Sequence, residues 1–262
     1  MTSLCSLRSA VAIHPDEVSM IVFISFLSLT ALTFSMRQSR SCVRRRYLVD
    51  WALDGAGLVI QGVVVPALQS VLIFGLLSGI IPMARGILGL SAVPGFLLNF
   101  VLVDYLYYWN HRWLHCRSLW PAHAVHHTPE RMDVFITSRN TLWTPLLIVY
   151  LWVNGLFIFL LRDPGAFILG ASLTASLDLW RHSSFSPRPG SALHRALGRV
   201  LITPHEHAWH HSRDRADCNF GANLSLWDRL HGTYRSPTVC AEAFGVSSTL
   251  SLKRKLFFPF GA

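Results

Sequence analysis

The sequence predicts an all-α fold: a polytopic membrane helical bundle of four to five hydrophobic segments, with a helical cap on its cytoplasmic side. Three observations predict it. The 262 residues are 52% hydrophobic and 14% charged, with a mean hydropathy of +0.39, a balance wrong for a soluble domain and right for a chain solvated by lipid. The apolar residues gather in runs long enough, or nearly so, to cross about 30 Å of hydrocarbon at about 1.5 Å per residue. Between and after those runs stand histidines at helical spacing.

The first run, residues 18–36, carries no charge; Asp16 and Glu17 precede it, and Arg37, Arg40, Arg44, Arg45 and Arg46 follow. A secretory signal has its positive charge ahead of the apolar stretch, so this segment is expected to be retained. The positive-inside rule then puts the basic stretch in the cytoplasm and the amino terminus outside. A second run, 55–84, is punctuated by glycine and leads outward. The third, 93–109, returns and passes straight into His111. Residues 141–161 and 164–180 make the fourth and fifth, joined by Arg162-Asp163-Pro164-Gly165, a turn signal with Pro and Gly at its centre. Whether this hairpin crosses fully or re-enters, it brings the chain back to the side it left. Everything from His111 to His127 and everything after residue 180 is therefore expected on the cytoplasmic face, of a bacterial inner membrane or an endoplasmic reticulum.

The net charge of +9 fits that arrangement, because Arg112, Arg117, Arg131, Arg139, Arg181, Arg188, Arg195, Arg199, Arg213 and Arg215 all fall in the cytoplasmic parts, where anionic headgroups attract them. No nucleic-acid motif accompanies the charge, so nucleic acid is excluded as a partner. Cys5, Cys42, Cys116, Cys218 and Cys240 show no C-x-x-C pairing and read as thiols of a reducing compartment. Leu252-Lys253-Arg254-Lys255-Leu256-Phe257-Phe258 mixes basic and aromatic residues and suits the membrane interface. With no repeat, low-complexity tract or linker, residues 1–262 read as a single membrane-embedded domain.

Eight of the thirteen histidines form three clusters: His111 and His115; His123, His126 and His127; and His207, His210 and His211. His182 stands alone between the second and third. On a helix, residues three and four apart share a face, so each cluster can turn two or three imidazoles toward one point. Chance produces one H-x-x-H-H in roughly a few per cent of chains with this much histidine, and two in well under about one per cent. The nine residues therefore read as metal ligands. Because an ion takes roughly four to six ligands, nine favour two metals. His14, His194 and His231 read instead as ordinary hydrogen-bonded residues.

The surroundings of the histidines narrow the chemistry. A zinc protease needs H-E-x-x-H, and His205-Glu206-His207-Ala208-Trp209 puts Trp where the second ligand belongs. Soluble di-iron bundles use Glu-x-x-His, and neither Glu130 nor Glu206 has a histidine three residues on. A site of almost wholly neutral nitrogen donors keeps its ions' positive charge. At a membrane face, with a redox metal, it suits oxygen chemistry on a lipid better than hydrolysis. Two other classes stay open: a divalent-metal transporter or sensor, and a catalytically silent zinc-containing lipid-binding membrane protein.

The stretches Asp104-Tyr105-Leu106-Tyr107-Tyr108-Trp109-Asn110-His111-Arg112-Trp113-Leu114-His115, Leu119-Trp120-Pro121-Ala122-His123-Ala124-Val125-His126-His127 and Thr203-Pro204-His205-Glu206-His207-Ala208-Trp209-His210-His211-Ser212 resemble the signatures of the fatty acid hydroxylase superfamily, which includes the sterol desaturases. Asn219-Phe220-Gly221 and Trp227-Asp228-Arg229-Leu230-His231-Gly232-Thr233 resemble its closing elements, and the match runs from about residue 93 to 235. The resemblance implies a membrane-embedded di-iron oxidoreductase that uses O2 and two external electrons to hydroxylate or desaturate a C–H bond of a membrane lipid. The ligands it implies are His111, His115, His123, His126, His127, His207, His210 and His211. His182 matches the family's isolated histidine, although Ser184 stands where Asn is usual two places on. Asp104, Asn223 and Asp228 are its candidate supporting groups, expected to orient imidazoles through their other ring nitrogen. The chain has no His-Pro-Gly-Gly element and no Gly-rich dinucleotide loop, so electrons are expected from a separate ferredoxin or cytochrome b5 docking on the basic face.

Overall fold

The computed structural model describes residues 15–36, 43, 46–213, 217–257 and 259. Cys5, His14, Arg37, Arg40, Cys42, Arg44, Arg45, Arg215 and Phe258 lie outside the described residues, so the basic stretch after the first run is represented by Arg46 alone. Among the described residues there is no strand, only isolated bridges between loops.

All five apolar runs become helices. The first is α1 (Pro15–Ser35) and the second α2 (Leu48–Ile80), a continuous helix of 33 residues. Pro66 lies in the middle of α2 and has no N–H to give the preceding turn. Wide π turns at Ile60–Val64 and Gln69–Ile73 flank it, keeping the helix running past the defect. The third run is α3, residues 92–114, with another π turn at Leu98–Val103. The fourth gives a single turn at Thr144–Leu147 and then α5 (Val149–Leu160), and the fifth gives α6 (Gly165–His182). Short helices build the cap: α4 (Trp120–Ala124), α7 (Ala192–Gly198), α8 (Pro204–His210), α9 (Ser225–Leu230) and α10 (Leu252–Phe257), with a 3-10 turn at Val134–Ser138.

Of the five, α2 has the length and apolarity to cross a membrane, and only 6% of its apolar window is buried in the protein. A core helix of a soluble protein would be covered, whereas this apolar face is left open by the rest of the protein. Met20–Ser35 and Val149–Leu160 are apolar but shorter. Helices α3 and α6 are less apolar because each carries polar groups turned inward: Asn99 and Asp104 on α3, Thr174 and Arg181 on α6, all buried.

The expected hairpin is present. Asp163 accepts a hydrogen bond from the Gly165 amide (3.0 Å) and starts α6. Beside it runs the connection from α2 to α3: the Gly86 amide donates to Phe159 O (3.0 Å), that of Leu88 to Leu160 O (2.9 Å), and that of Arg162 to Leu88 O (2.9 Å). The α2–α3 connection and the α5–α6 turn thus share one end of the bundle, and the histidines occupy the other, as the alternating path requires.

A buried ion network fastens the cap to α2. Arg139 clasps Asp54 with two hydrogen bonds (2.6 and 3.1 Å) and reaches Asp50 (2.8 Å). Arg46 pairs with the same Asp54 and with Asp133 (3.2 Å), and Asp133 caps the 3-10 turn through the Phe135 amide (2.9 Å). Phe135 in turn packs edge-on against Phe26 and Trp51, seating α1 and α2 on the cap. The approach is close enough that a Cβ on Gly57 would lie 1.8 Å from Ser138 O, whereas one on Gly62 meets nothing. Gly57→Ala is therefore expected to cost about 1–3 kcal/mol or more by overpacking against backbone. Gly62→Ala should be neutral. Paired melting curves of the two variants in detergent check this, and equal melting temperatures would refute the close-packed junction.

Candidate metal centre

Each histidine cluster is placed by a helix end. His111 and His115 lie one turn apart where α3 stops. Pro121 in the first turn starts α4, and two tight turns after it, from the His126 amide to His123 O and from His127 to Ala124 O, bring three imidazoles to one side. His182 is the last residue of α6. Helix α8 opens with Pro204 and a capping box, in which Thr203 and Glu206 satisfy each other's backbone donors, so its 7 residues and the C-cap His211 present His207, His210 and His211 on one face.

The nine imidazoles gather into two adjoining sets. His111, His115, His123, His127 and His210 form one; His126, His182, His207 and His211 form the other; within each set the ligand atoms all lie within 4.8 Å of one another. Eight of the nine are buried, and His115 is half-buried. The sets touch through His127 and His211, stacked with ring centroids 4.3 Å apart.

Backbone carbonyls fix the tautomers. His111 Nδ1 faces Phe220 O (2.8 Å), His126 Nδ1 faces Arg139 O (3.1 Å), His182 Nδ1 faces Asp178 O (2.8 Å), and His210 Nδ1 faces Cys218 O (2.7 Å). Each of those nitrogens must donate, which leaves Nε2 as a bare lone pair. Yet the bare His126 Nε2 and His182 Nε2 stand 3.2 Å apart. Two acceptors cannot hydrogen-bond to each other. A cation between them resolves the conflict: bonds of about 2.1 Å meeting at right angles put neighbouring nitrogens about 3.0 Å apart. In the first set, His115 Nε2 and His210 Nε2 are buried without a partner, as is His211 Nε2 in the second. The residues present fit a pair of ions.

Burial, reinforced by mutual repulsion, drives the imidazoles neutral. His115 is lowered to about 2, and His126 and His210 to about 3. His111, His123, His127, His207 and His211 fall well below 6.5 for the same first cause. Neutral imidazole is the form that binds a metal.

The three supporting groups expected from the sequence do something else. Asp104 accepts from the Asn223 and Leu224 amides (2.7 and 3.1 Å) and from Trp227 Nε1 (2.8 Å); Asn223 Nδ2 donates to Thr174 Oγ1 (2.7 Å). Asp228 accepts from the amides of Phe220 (2.8 Å) and Gly221 (2.7 Å) and from Thr233 Oγ1 (2.7 Å). None of the three reaches an imidazole, which corrects that expectation. They hold the loop whose carbonyls do, with Asp228 one peptide away from His111. Sequence reasoning missed Arg139, Asp178, Cys218 and Phe220 because a carbonyl acceptor is the same on every residue. Asn219 sits in the left-handed region (φ 53°), and a Cβ at Gly221 would fall 2.8 Å from Leu224 O, so the Asn-Phe-Gly element is a backbone requirement. The other described histidines stay outside: His194 Nε2 bonds Glu206 (2.9 Å), His205 bonds Pro237 O (2.6 Å), and His231 stacks on Tyr108 (5.0 Å). Cys116 and Cys240 are exposed and Cys218 buried, with no disulfide among them.

Helices converging on two histidine cages define a helical protein built around a buried centre with room for two ions. Comparison with known proteins agrees with that class. The fatty acid hydroxylase profile matches residues 96–233, more than half of the chain, and the protein belongs to this family. The chain is similar to the ornithine lipid hydroxylase OlsE of Rhizobium tropici, 32% identical over 153 residues, which cover 54% of this chain and 42% of that one. It is also similar to the alkylglycerol monooxygenases of Danio rerio (30% identical over 140 residues, 52% of this chain and 30% of the relative) and Homo sapiens (28% over 140 residues, with the same coverage). The matched stretch thus spans less than half the length of these relatives. No solved structure matches significantly.

Replacing His126, His127, His210 or His211 singly by Ala should lower bound metal, read by elemental analysis, while the protein still inserts. His194→Ala should keep the metal but lose about 1–3 kcal/mol of stability, because Glu206 loses a buried partner. Full metal content in two of the four ligand variants would break the shared-centre assignment. The metal-free protein should also weaken in acid. Its imidazoles are held below 6.5 when folded, so the unfolded chain binds more protons as pH drops beneath 6.5, and each group removes up to about 1.4 kcal/mol per pH unit until its folded value is reached. The melting temperature of metal-free protein should thus be flat above pH 7 and fall steeply from pH 6.5 to 5. A flat profile would show that the imidazoles are not buried neutral.

Proposed function

We propose that this chain is an O2-dependent lipid hydroxylase that holds two iron ions between its two histidine sets. The observation that carries the reading is a cavity of about 380 Å³ with His123 and His126 in its wall. It runs from the metal centre between α1, α2, α3, α5 and α6, and Val22, Val65, Pro66, Ile148 and Leu151 give it an apolar lining. A site meant for water-soluble substrate would open on the cap; this one opens among the apolar helices. Family membership and relatives named as lipid hydroxylase and monooxygenase point the same way.

Bound iron would supply the activation of O2 with two electrons from outside, for the overall change RH + O2 + 2e⁻ + 2H⁺ → ROH + H2O. The protein's own part is to present unprotonated nitrogens, to lock four of the rings through carbonyls, and to exclude water from a channel that holds an acyl, alkyl or sterol chain against the centre. The relatives' names favour hydroxylation over desaturation. A separate ferredoxin or cytochrome b5 fits as donor, because Arg112, Arg117, Arg131, Arg188, Arg195, Arg199 and Arg213 are all exposed around the cap. The chain is read as one multi-pass unit with its cap in the cytoplasm. In support, the two far-end connections lie together and the cap carries the arginines. Transport of metal ions draws no support from the geometry, since the nine ligands sit at helix ends under the cap and none lies in the apolar length of α2.

Protein loaded with iron, reduced, and mixed with O2, donor and a membrane lipid extract should consume oxygen and yield a lipid gaining one oxygen atom. Zinc-loaded protein should do neither, its d-shell being full. No oxygen uptake by the iron form across a broad lipid set would overturn the reading.

A further inference from the structure

The cavity holds in its wall a carboxylate with one oxygen that the described residues leave unused. Asp178 lines it, on the last turns of α6, with a third of its side-chain surface open. Its Oδ1 is occupied: Arg181 Nη2 donates to it at 2.6 Å, and His182 Nδ1 lies 3.2 Å away. Oδ2 has no hydrogen-bond partner among the described residues. Elsewhere in the wall Asn99 donates to Asn154 (3.1 Å) and Gln69 donates to the carbonyls of Tyr150 and Leu151 (3.1 and 3.3 Å), whereas Tyr150 Oη and Arg181 Nε and Nη1 are buried without a partner among the described residues. A carboxylate oxygen facing a cavity is costly unless something donates to it.

From this we propose that Asp178 is a specificity-determining residue that takes a neutral hydrogen-bond donor, a hydroxyl or amide N–H, at the polar end of the lipid. The inference rests on the reading of the cavity as the lipid site. The donor is neutral, since Arg181 already balances the Asp178 charge. An ammonium would also have to approach ions held by uncharged ligands, which keep their full positive charge. Position adds a consequence. Asp178 Oδ1 is 3.2 Å from Nδ1 of His182, whose Nε2 belongs to the second histidine set, so the lipid's polar end is held one imidazole's width from the centre. The C–H bond offered for oxidation is then close to the polar end, and the rest of the chain extends toward α2.

Binding to zinc-loaded protein tests this without turnover. Four probes share a chain of the same length: 1-O-hexadecylglycerol and N-methylpalmitamide carry donors, while methyl palmitate and hexadecane carry none. The first two should bind at least about tenfold tighter, the size expected of a hydrogen bond to a charged acceptor. Asp178→Asn should shrink that preference. The double variant Asp178→Leu/Arg181→Met removes both partners of the buried pair, and so avoids stranding a cation; it should abolish the preference while keeping its metal. Equal binding of all four probes by the native protein overturns the proposal, as does a preference that survives in the metal-containing double variant. Because no oxygen is used, a clear preference together with no oxygen uptake by the iron form would sink the hydroxylase reading and leave this one standing.

Discussion

Everything in this fold answers to the gathering of nine imidazoles, eight of them buried, with ring nitrogens facing one another. The bare Nε2 atoms of His126 and His182 stand 3.2 Å apart and repel, and no proton is available between these two rings, whose Nδ1 already donates to a carbonyl. In the absence of cations such a core is held together by its surroundings. That explains why so much of the chain outside the clusters is rigid scaffolding: a capping box starts α8, a left-handed Asn and a glycine that tolerates no Cβ shape the loop at 219–221, and Asp228 grips that loop by two amides. Each device positions a carbonyl or a helix end, and through it an imidazole.

The same constraint reaches the bundle. His126 is aimed by the carbonyl of Arg139, whose guanidinium is clasped by Asp54 at the head of α2. A residue in a lipid-facing helix therefore helps to set the angle of a ring in the cap. Breaking one partner of such a pair strands a buried charge, which costs far more than the pair contributes. The junction is thus the place where disturbance of the membrane part would be felt at the metal centre.

Legibility in the sequence depends on what each feature is made of. The five apolar runs and the hairpin turn could be read because apolarity and Pro-Gly chemistry are local properties. The gathering of the clustered histidines could be read because helical spacing is local as well, and His182 could be joined to them only through the resemblance and the return of the hairpin. Orientation of the rings was not legible: Asp104, Asn223 and Asp228 looked like ring partners because they carry side-chain acceptors, whereas the acceptors used are main-chain oxygens. The Asp54–Arg139 clasp joins residues 85 apart, and nothing in either neighbourhood announces the other. In α3 and α6 the runs showed apolar helices but not that the polar residues within them turn inward to meet the loop at 219–228 and the cavity.

The interruptions of α2 belong to the same logic. A lipid-facing helix has no use for glutamine, and intramembrane polar groups turn toward a bundle interior or cavity. Gln61 and Gln69 lie on either side of Pro66, in the two π turns, and both line the cavity. A π turn adds a residue to the helical repeat and so rotates the next turns of the helix about its axis. This lets a helix otherwise committed to lipid show polar side chains to the interior at two separated positions. Gly155 completes the arrangement by letting α5 approach so closely that a Cβ there would meet Ile73 at 2.6 Å, in the second π turn. α2 thus leaves an apolar face open on one side and turns two glutamines to the cavity on the other, and its irregularities are what make both faces possible.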